Sequence, residues 1–463
     1  MVYVLCEKSV HPVVSANGTG WAHNLEVKMK KRLFLAAICI FFLTTSMSFG
    51  YTATFLPRVS VGGEYTDNIF LTDNDSNIDE EFITTIRPGF SAEILGKNNG
   101  VNLSYDAAYA MYKNYNEFDG WRHKVNLRGW SQMAKRTRLN IRDSFLYTED
   151  PIRDENLAEA RTEDPENPVD FSVRKTRQIY YTNFANINLD HQFGEYNSFN
   201  LAYRYYVRND EDPQYEDNDY HNPSAKLSYW FGEQWGFQVG GQYLLNQYEF
   251  SEDIEVFVGN VGFLKRFGTH FIGYIQYRHV VVNYETGEND DQTYNPSIGF
   301  NYDIAKDISV KLDAGYFRND FELREDTDAF NGSLRLIKEF ERGKINLSAL
   351  GGFEYDLYGA EKLGFTKFVE GAVSGNYQLA KFINGRIRGS YRDSEYIDQA
   401  DRKDKIGTVG AGLTWQALEW MNIGLDYRFR SLDSTIETEN YDENRVTVTI
   451  GLVPKVPFHT SRY

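Results

Sequence analysis

What most constrains this chain is a period of two, held over runs of about a dozen residues. Phe199, Leu201, Tyr203, Tyr205 and Val207 alternate with Asn200, Ala202, Arg204, Tyr206 and Arg208. Ile308-Val310-Leu312-Ala314-Tyr316 alternate in the same way with Ser309-Lys311-Asp313-Gly315, and Val446-Val448-Ile450-Leu452 with Arg445-Thr447-Thr449-Gly451. In Asn384–Arg392, Arg386, Arg388 and Arg392 fall on one side of a strand while Ile387 and Tyr391 fall on the other. Successive strand side chains point to opposite faces, so each segment has one apolar and one polar face. Runs of this length exceed the mean strand of a soluble sheet and are long enough to cross a bilayer at a tilt.

These segments come in pairs. Tight-turn signals recur near Gly96, Lys135, Gly194, Gly232, Gly268, Lys306, Arg342, Lys381 and Glu419, about 37 residues apart except where an acidic insertion follows Glu149. A propeller blade has a similar period but needs four short strands within it; two unbroken alternating runs per period make a hairpin instead. From Thr54 to Val453 there is room for about ten hairpins. The expected fold is therefore all-β, a single transmembrane antiparallel up-and-down barrel of about 20 strands (range 16–22) over residues 51–453. The short turns suit the periplasmic rim. Longer acidic connections, near Asp67–Glu81, Glu149–Asp170, Asp210–Asp219, Glu285–Asp291, Asp320–Asp328, Asp393–Asp404 and Asp433–Glu443, suit the outside.

Ahead of the barrel, Lys28, Lys30, Lys31 and Arg32 precede the apolar run Leu33–Leu43 and small residues near Ser48 and Gly50. This is the layout of a secretory signal peptide, too short to span as a helix, with Met29 as the natural start and residues 1–28 as an upstream extension. Without residues 1–50 the chain keeps 44 basic and 64 acidic residues, a formal charge of -20, and neither cysteine (Cys6, Cys39). Disulfides and cysteine-bound metals are thereby excluded from the mature chain. A surface this acidic does not suit nucleic acid. An aromatic content of 16% alongside a quarter of charged residues is unusual for helical membrane proteins and ordinary for a barrel with a polar lumen.

By parity, Arg128, Arg138, Arg142, Arg204, Arg208, Arg335, Arg386, Arg388, Arg392, Arg428, Arg430 and Arg445 face the interior, since arginine on the lipid face at the midplane costs about 2–4 kcal/mol. Two readings stay open. The arginines line a conduit for anionic solutes or an anionic polysaccharide, or they pair across strands with inward acids such as Asp313, Asp426 and Glu354. The loop Glu149–Asp170 is long and acidic enough to reach basic wall positions and constrict the bore.

No catalytic or metal set emerges. The six mature histidines, His123, His191, His221, His270, His279 and His459, form no ligand pair. Asp73–Asp79 alternates oxygens as a calcium loop does, but Ile78 stands where such a loop needs glycine and Thr84 where it needs a closing glutamate. Neither an enzyme nor a cofactor is expected. Because Tyr51 leads almost directly into Thr54, no plug precedes the first strand, which argues against a gated siderophore-type transporter.

The stretch Pro57–Thr72, above all Glu64-Tyr-Thr-Asp-Asn-Ile-Phe70, followed by Phe82–Phe90, resembles the first strands of a family of outer-membrane β-barrel porins found with exopolysaccharide and PEP-CTERM sorting systems. The resemblance implies a barrel over the whole mature length, located in the bacterial outer membrane and passing or exporting polysaccharide. The implied partners are outer-membrane lipid, lipopolysaccharide, the outer-membrane assembly machinery and a polysaccharide export apparatus. A non-conducting barrel acting as adhesin or surface scaffold is the alternative. At the C-terminus Pro454 and Pro457 are expected to end the ladder, leaving residues 454–463 as a periplasmic tail. Such a tail would partly cover the mouth, or else the assembly signal would lie internally, around Tyr441–Leu452.

Overall fold

The computed structural model describes residues 50–73, 79–151, 176–287, 290–356, 364–398 and 402–462; the expected leader, residues 1–49, and the centre of the calcium-like stretch lie outside the described residues. Each alternating segment is a strand. In chain order they are β1 (Tyr51–Thr66), β2 (Glu81–Gly96), β3 (Asn99–Tyr112), β4 (Gly120–Ala134), β5 (Thr137–Thr148), β6 (Tyr180–Phe193) and β7 (Asn197–Asp210). Next come β8 (Asn218–Phe231), β9 (Trp235–Tyr248), β10 (Ile254–Arg266), β11 (Phe271–Tyr284), β12 (Asp291–Ala305), β13 (Ile308–Phe321) and β14 (Thr327–Phe340). The last are β15 (Gly343–Asp356), β16 (Gly364–Ala380), β17 (Ile383–Tyr396), β18 (Lys403–Leu418), β19 (Met421–Ser434), β20 (Tyr441–Leu452) and the short β21 (Phe458–Arg462).

Neighbours in sequence pair antiparallel throughout, and β20 returns to β1 from Val59↔Leu452 to Thr66↔Arg445. Twenty strands thus close into a cylinder without a free edge, the arrangement hydrocarbon demands of a sheet. All nine short turns fall where the sequence signals them, and three turn on glycines with positive φ, Gly194 (72°), Gly232 (71°) and Gly268 (143°). At the opposite rim the connections are longer. They include 113–119 and 249–253, which carry no strong sequence signal.

The outer surface is apolar and exposed. Val409, Leu413, Trp415, Leu425, Tyr427, Val448 and Ile450 all project from it, with Phe231, Trp235, Phe263, Phe267, Tyr377 and Trp420 gathered at the short-turn rim as an aromatic girdle. Asp143 is an exception. It shares the outward side of β5 with Ile141 and Phe145 and accepts hydrogen bonds from the Asn183 amide at 3.2 Å.

At the C-terminus the structure corrects the expectation. The ladder does not end at the prolines: β20 pairs with Val59–Thr66 of β1, Pro454 and Pro457 occupy the gap, and β21 then pairs with Tyr51–Phe55. Two short pieces from the end of the chain together cover the long first strand.

The segment that carries the resemblance stitches this seam. Thr66 donates to Glu443 (2.9 Å), Asp67 accepts from the backbone N–H and side chain of Asn444 (2.7 and 2.8 Å), and Asn68 donates to the Asp442 carbonyl (2.9 Å). Asn68 also holds its own loop closed, donating to the Thr72 carbonyl and accepting from the Thr72 N–H. Leu71 takes φ 53° there, and Ile69 and Leu71 are fully buried.

Candidate channel lumen

Strand register sorts the twelve inward arginines into two groups. In the first, charges are neutralised. Arg386 and Arg388 both grip Asp426 (2.7 and 2.9 Å), Arg392 pairs with Glu370 (3.2 Å) and Glu354, and Arg208 meets Asp210 at 3.4 Å. Arg428 and Arg445 share Glu443 (3.5 and 2.6 Å). Asp426 and Glu354 therefore do what the pairing reading assigned to them. Asp313, the third such acid, instead takes the Ser333 hydroxyl (3.0 Å), the Tyr274 hydroxyl and, at 3.9 Å, Lys311. Arg335 and Arg430 also face inward, on β14 and β19.

The second group lies on the wall from β4 to β7. Arg128 stands directly opposite Arg142, which is opposite Asn186, then Arg204, then Asn222. Among the described residues no carboxylate lies within ion-pair distance of Arg128, Arg142 or Arg204. Arg138, one turn lower, donates to Asn140 (3.0 Å) and lies over the Trp130 ring. Amides fill the spaces between: Asn140 and Asn200 both donate to Asp190, and Ser144 donates to Asn126. Toward the long-loop rim this wall borders a cavity of about 570 Å³ lined by Arg58, Arg87, Asp106, Arg122, Lys124 and Asn126. Arg58 chelates Asp106 there (2.9 and 2.6 Å).

At the long-loop mouth, two features absent from the strand pattern lie on the inner side of the wall. The first is a buried lattice of ions. Asp150, just past β5, bonds Arg445 on β20 at 3.0 Å, and Arg445 also holds Glu64 (3.1 Å) and Glu443. Arg122 holds Glu149 (2.6 Å), which accepts from the Tyr112 hydroxyl (2.6 Å), and Arg177 reaches Tyr112 (3.1 Å) and the Ile69 carbonyl (3.0 Å). Both ends of the acidic connection after β5 thus enter the lumen, while residues 152–175, on which the expected constriction falls, lie outside the described residues. Burial by itself would push the Asp150 carboxyl up, but Arg445, Arg122, Arg177 and Arg428 outweigh it and hold it well below the usual carboxylate range.

The second feature is a fold in the wall. β14 pairs with β15 only from Phe340↔Gly343 to Gly332↔Gly351. Beyond Gly351 the chain leaves β14 at Gly352, whose φ of 154° favours glycine and where a Cβ would sit 3.0 Å from that of Asn331. The β15–β16 tip then turns in behind the inner face of β12–β14. Phe353 packs on Phe317 (4.7 Å between ring centroids), Phe365 on Phe321 (5.5 Å), and the Tyr355 hydroxyl bonds Thr293 and Asp291 on β12. Phe317 and Phe365 have no exposed surface, whereas Phe330, left on the uncovered outer side, is 85% exposed. Arg324 clamps Asp398 over the tip.

Among curated sequences no protein matches this chain. Similar solved structures include the siderophore receptor PirA from Pseudomonas aeruginosa, at 9% identity over 86% of this chain and 80% of that one with a TM-score of 0.47. The FrpB iron transporter from Neisseria meningitidis gives 10%, 87%, 82% and 0.49, and the outer membrane protein OpdK from Pseudomonas aeruginosa 12%, 90%, 100% and 0.40. The family described as "Putative beta-barrel porin 2" matches residues 50–179 and 369–453, the two stretches that meet at the stitched seam. Over these flanks, which carry both ends of the closed barrel, the chain is similar to that β-barrel porin family.

Proposed function

We propose that this barrel is a bacterial outer-membrane channel that passes anionic solutes, with an anionic exopolysaccharide as its largest cargo, and that it has no catalytic role. One observation carries the reading: Arg128 and Arg142 face each other on the inner wall, with Arg204 in the same row beyond Asn186, and none has a carboxylate partner among the described residues, while most other inward arginines are neutralised. Like charges directly opposite one another on paired strands destabilise a sheet. Retaining them on a wet wall suits an anion that visits. In planar bilayers with a salt gradient the protein should conduct with an anion-favouring reversal potential, and R128Q/R142Q/R204Q should move that potential toward zero. Cation preference, or a triple variant with unchanged selectivity, would refute the reading. The inward β15–β16 tip favours the scaffold alternative, for which the same experiment gives no conductance at all.

A further inference from the structure

The row Arg128–Arg142–Asn186–Arg204–Asn222 is more than a charged wall. Guanidinium forks donate and amide oxygens accept, and the two kinds of group follow one another across neighbouring strands, which lie about 4.8 Å apart. Three of its atoms are buried and bond nothing among the described residues: Asn186 Oδ1, Asn222 Oδ1 and Arg204 Nε. Asn222 is only 2% exposed. A buried polar atom without a partner is costly, and an inorganic anion answers only the arginine among these three. The amide oxygens call for hydroxyl donors.

We infer that this row is a binding site for a sugar acid, a solute whose carboxylate lies among hydroxyl groups. The carboxylate accepts from the facing forks of Arg128 and Arg142, and the adjoining hydroxyls donate to Asn186 Oδ1 and, for a second residue of the solute, reach Arg204 and Asn222. The Arg128–Arg142 repulsion is relieved when the site fills, so occupancy and local stability are coupled. The inference rests on the channel reading and names its substrate class.

The test is block of single-channel current by glucuronate, with acetate and glucose as probes that carry only the charge or only the hydroxyls. Glucuronate should interrupt the current at concentrations at least tenfold below either, and R128Q/R142Q should raise its half-blocking concentration at least tenfold, with strand circular dichroism confirming a folded barrel. R142K keeps the charge but not the planar fork, and should weaken the block several-fold. Equal block by acetate and glucuronate in an anion-selective channel overturns the site and leaves the channel reading standing; absence of anion selectivity overturns the channel reading itself. A block insensitive to R142K also overturns the site.

Discussion

Truncating Phe365 to alanine tests the idea that the β15–β16 tip narrows the mouth. Phe365 has no exposed surface and packs on Phe317, Phe321, Phe353 and Tyr355, so F365A removes an aromatic side chain from the centre of one of the two apolar contacts that hold the tip inward, the other being Phe353 and Tyr355 against Ile254, Val256, Val280 and Val282 of β10–β11. Phe-to-Ala changes at such sites cost about 3–5 kcal/mol. Phe353 and Tyr355 keep their packing on Phe317 and the β10–β11 cluster; the polar ties are the Tyr355 hydrogen bonds, each worth about 0.5–1.5 kcal/mol net, and the partly exposed Arg324–Asp398 pair, worth about 0–1 kcal/mol. The loss exceeds any one of them. At 1.4 kcal/mol per decade, the ratio of tucked to released tip should fall by about a hundredfold or more. Phe365 is the second residue of β16, at its long-loop end, and the lipid-facing length of the strands is unchanged, so the barrel still folds. Single-channel recordings of F365A should show a larger conductance level that is rare or absent in the parent protein. A variant with one level, identical to that of the parent, would show that the tip does not restrict flow.

Further outcomes follow from the ion lattice, the seam and the outer face. R445M takes one cation from Glu64, Glu443 and Asp150 in a buried site, leaving Arg428 near Glu443 and Arg122 near Asp150, and removal of one partner of such a set costs about 3–5 kcal/mol, so the urea midpoint of the reconstituted barrel should fall; an unchanged midpoint would remove the lattice from the stability account. Because the Asp150 pKa is depressed in the folded protein, its contribution is present above the unfolded carboxylate value near 3.9 and is lost as pH falls below it toward the folded value. Stability should therefore hold from pH 8 to 5 and drop below about pH 4, with a smaller drop in D150N. N68A releases the seam stitch to Asp442 and Thr72, and proteolysis next to Thr66 should quicken while β12–β14 stay protected. D143L removes a carboxylate from the lipid-facing side of β5 and should raise the urea midpoint; a lowered midpoint would mean that the hydrogen bonds from the Asn183 amide outweigh the cost of the carboxylate there.

The period of two by itself determined a good deal: that the segments are strands, which side of each is greasy, where the short turns fall, and that about twenty strands are available. Each of these is a local property, set by the alternation of side chains along an extended backbone and by turn residues that the neighbouring chain cannot alter. The expectation that the arginines face inward rests on the same alternation.

Only the closed structure decided which charges meet. Asp426 serves Arg386 and Arg388 because the register of β17–β19 slides it between them, and Asp150 reaches Arg445, 295 positions away in sequence, because the barrel has closed. Among the described residues Arg128 and Arg142 meet no acid for the same kind of reason: register sets them face to face. Phe353 and Phe365 show the limit most plainly. Alternation assigns them to the outward side with Leu347 and Val369, yet they are packed inside, because the wall parts above Gly351 and turns its outer face onto its own inner wall. A sequence specifies the two faces of a strand. What each face touches depends on how the sheet is rolled, and that is settled by contacts between strands far apart in the chain.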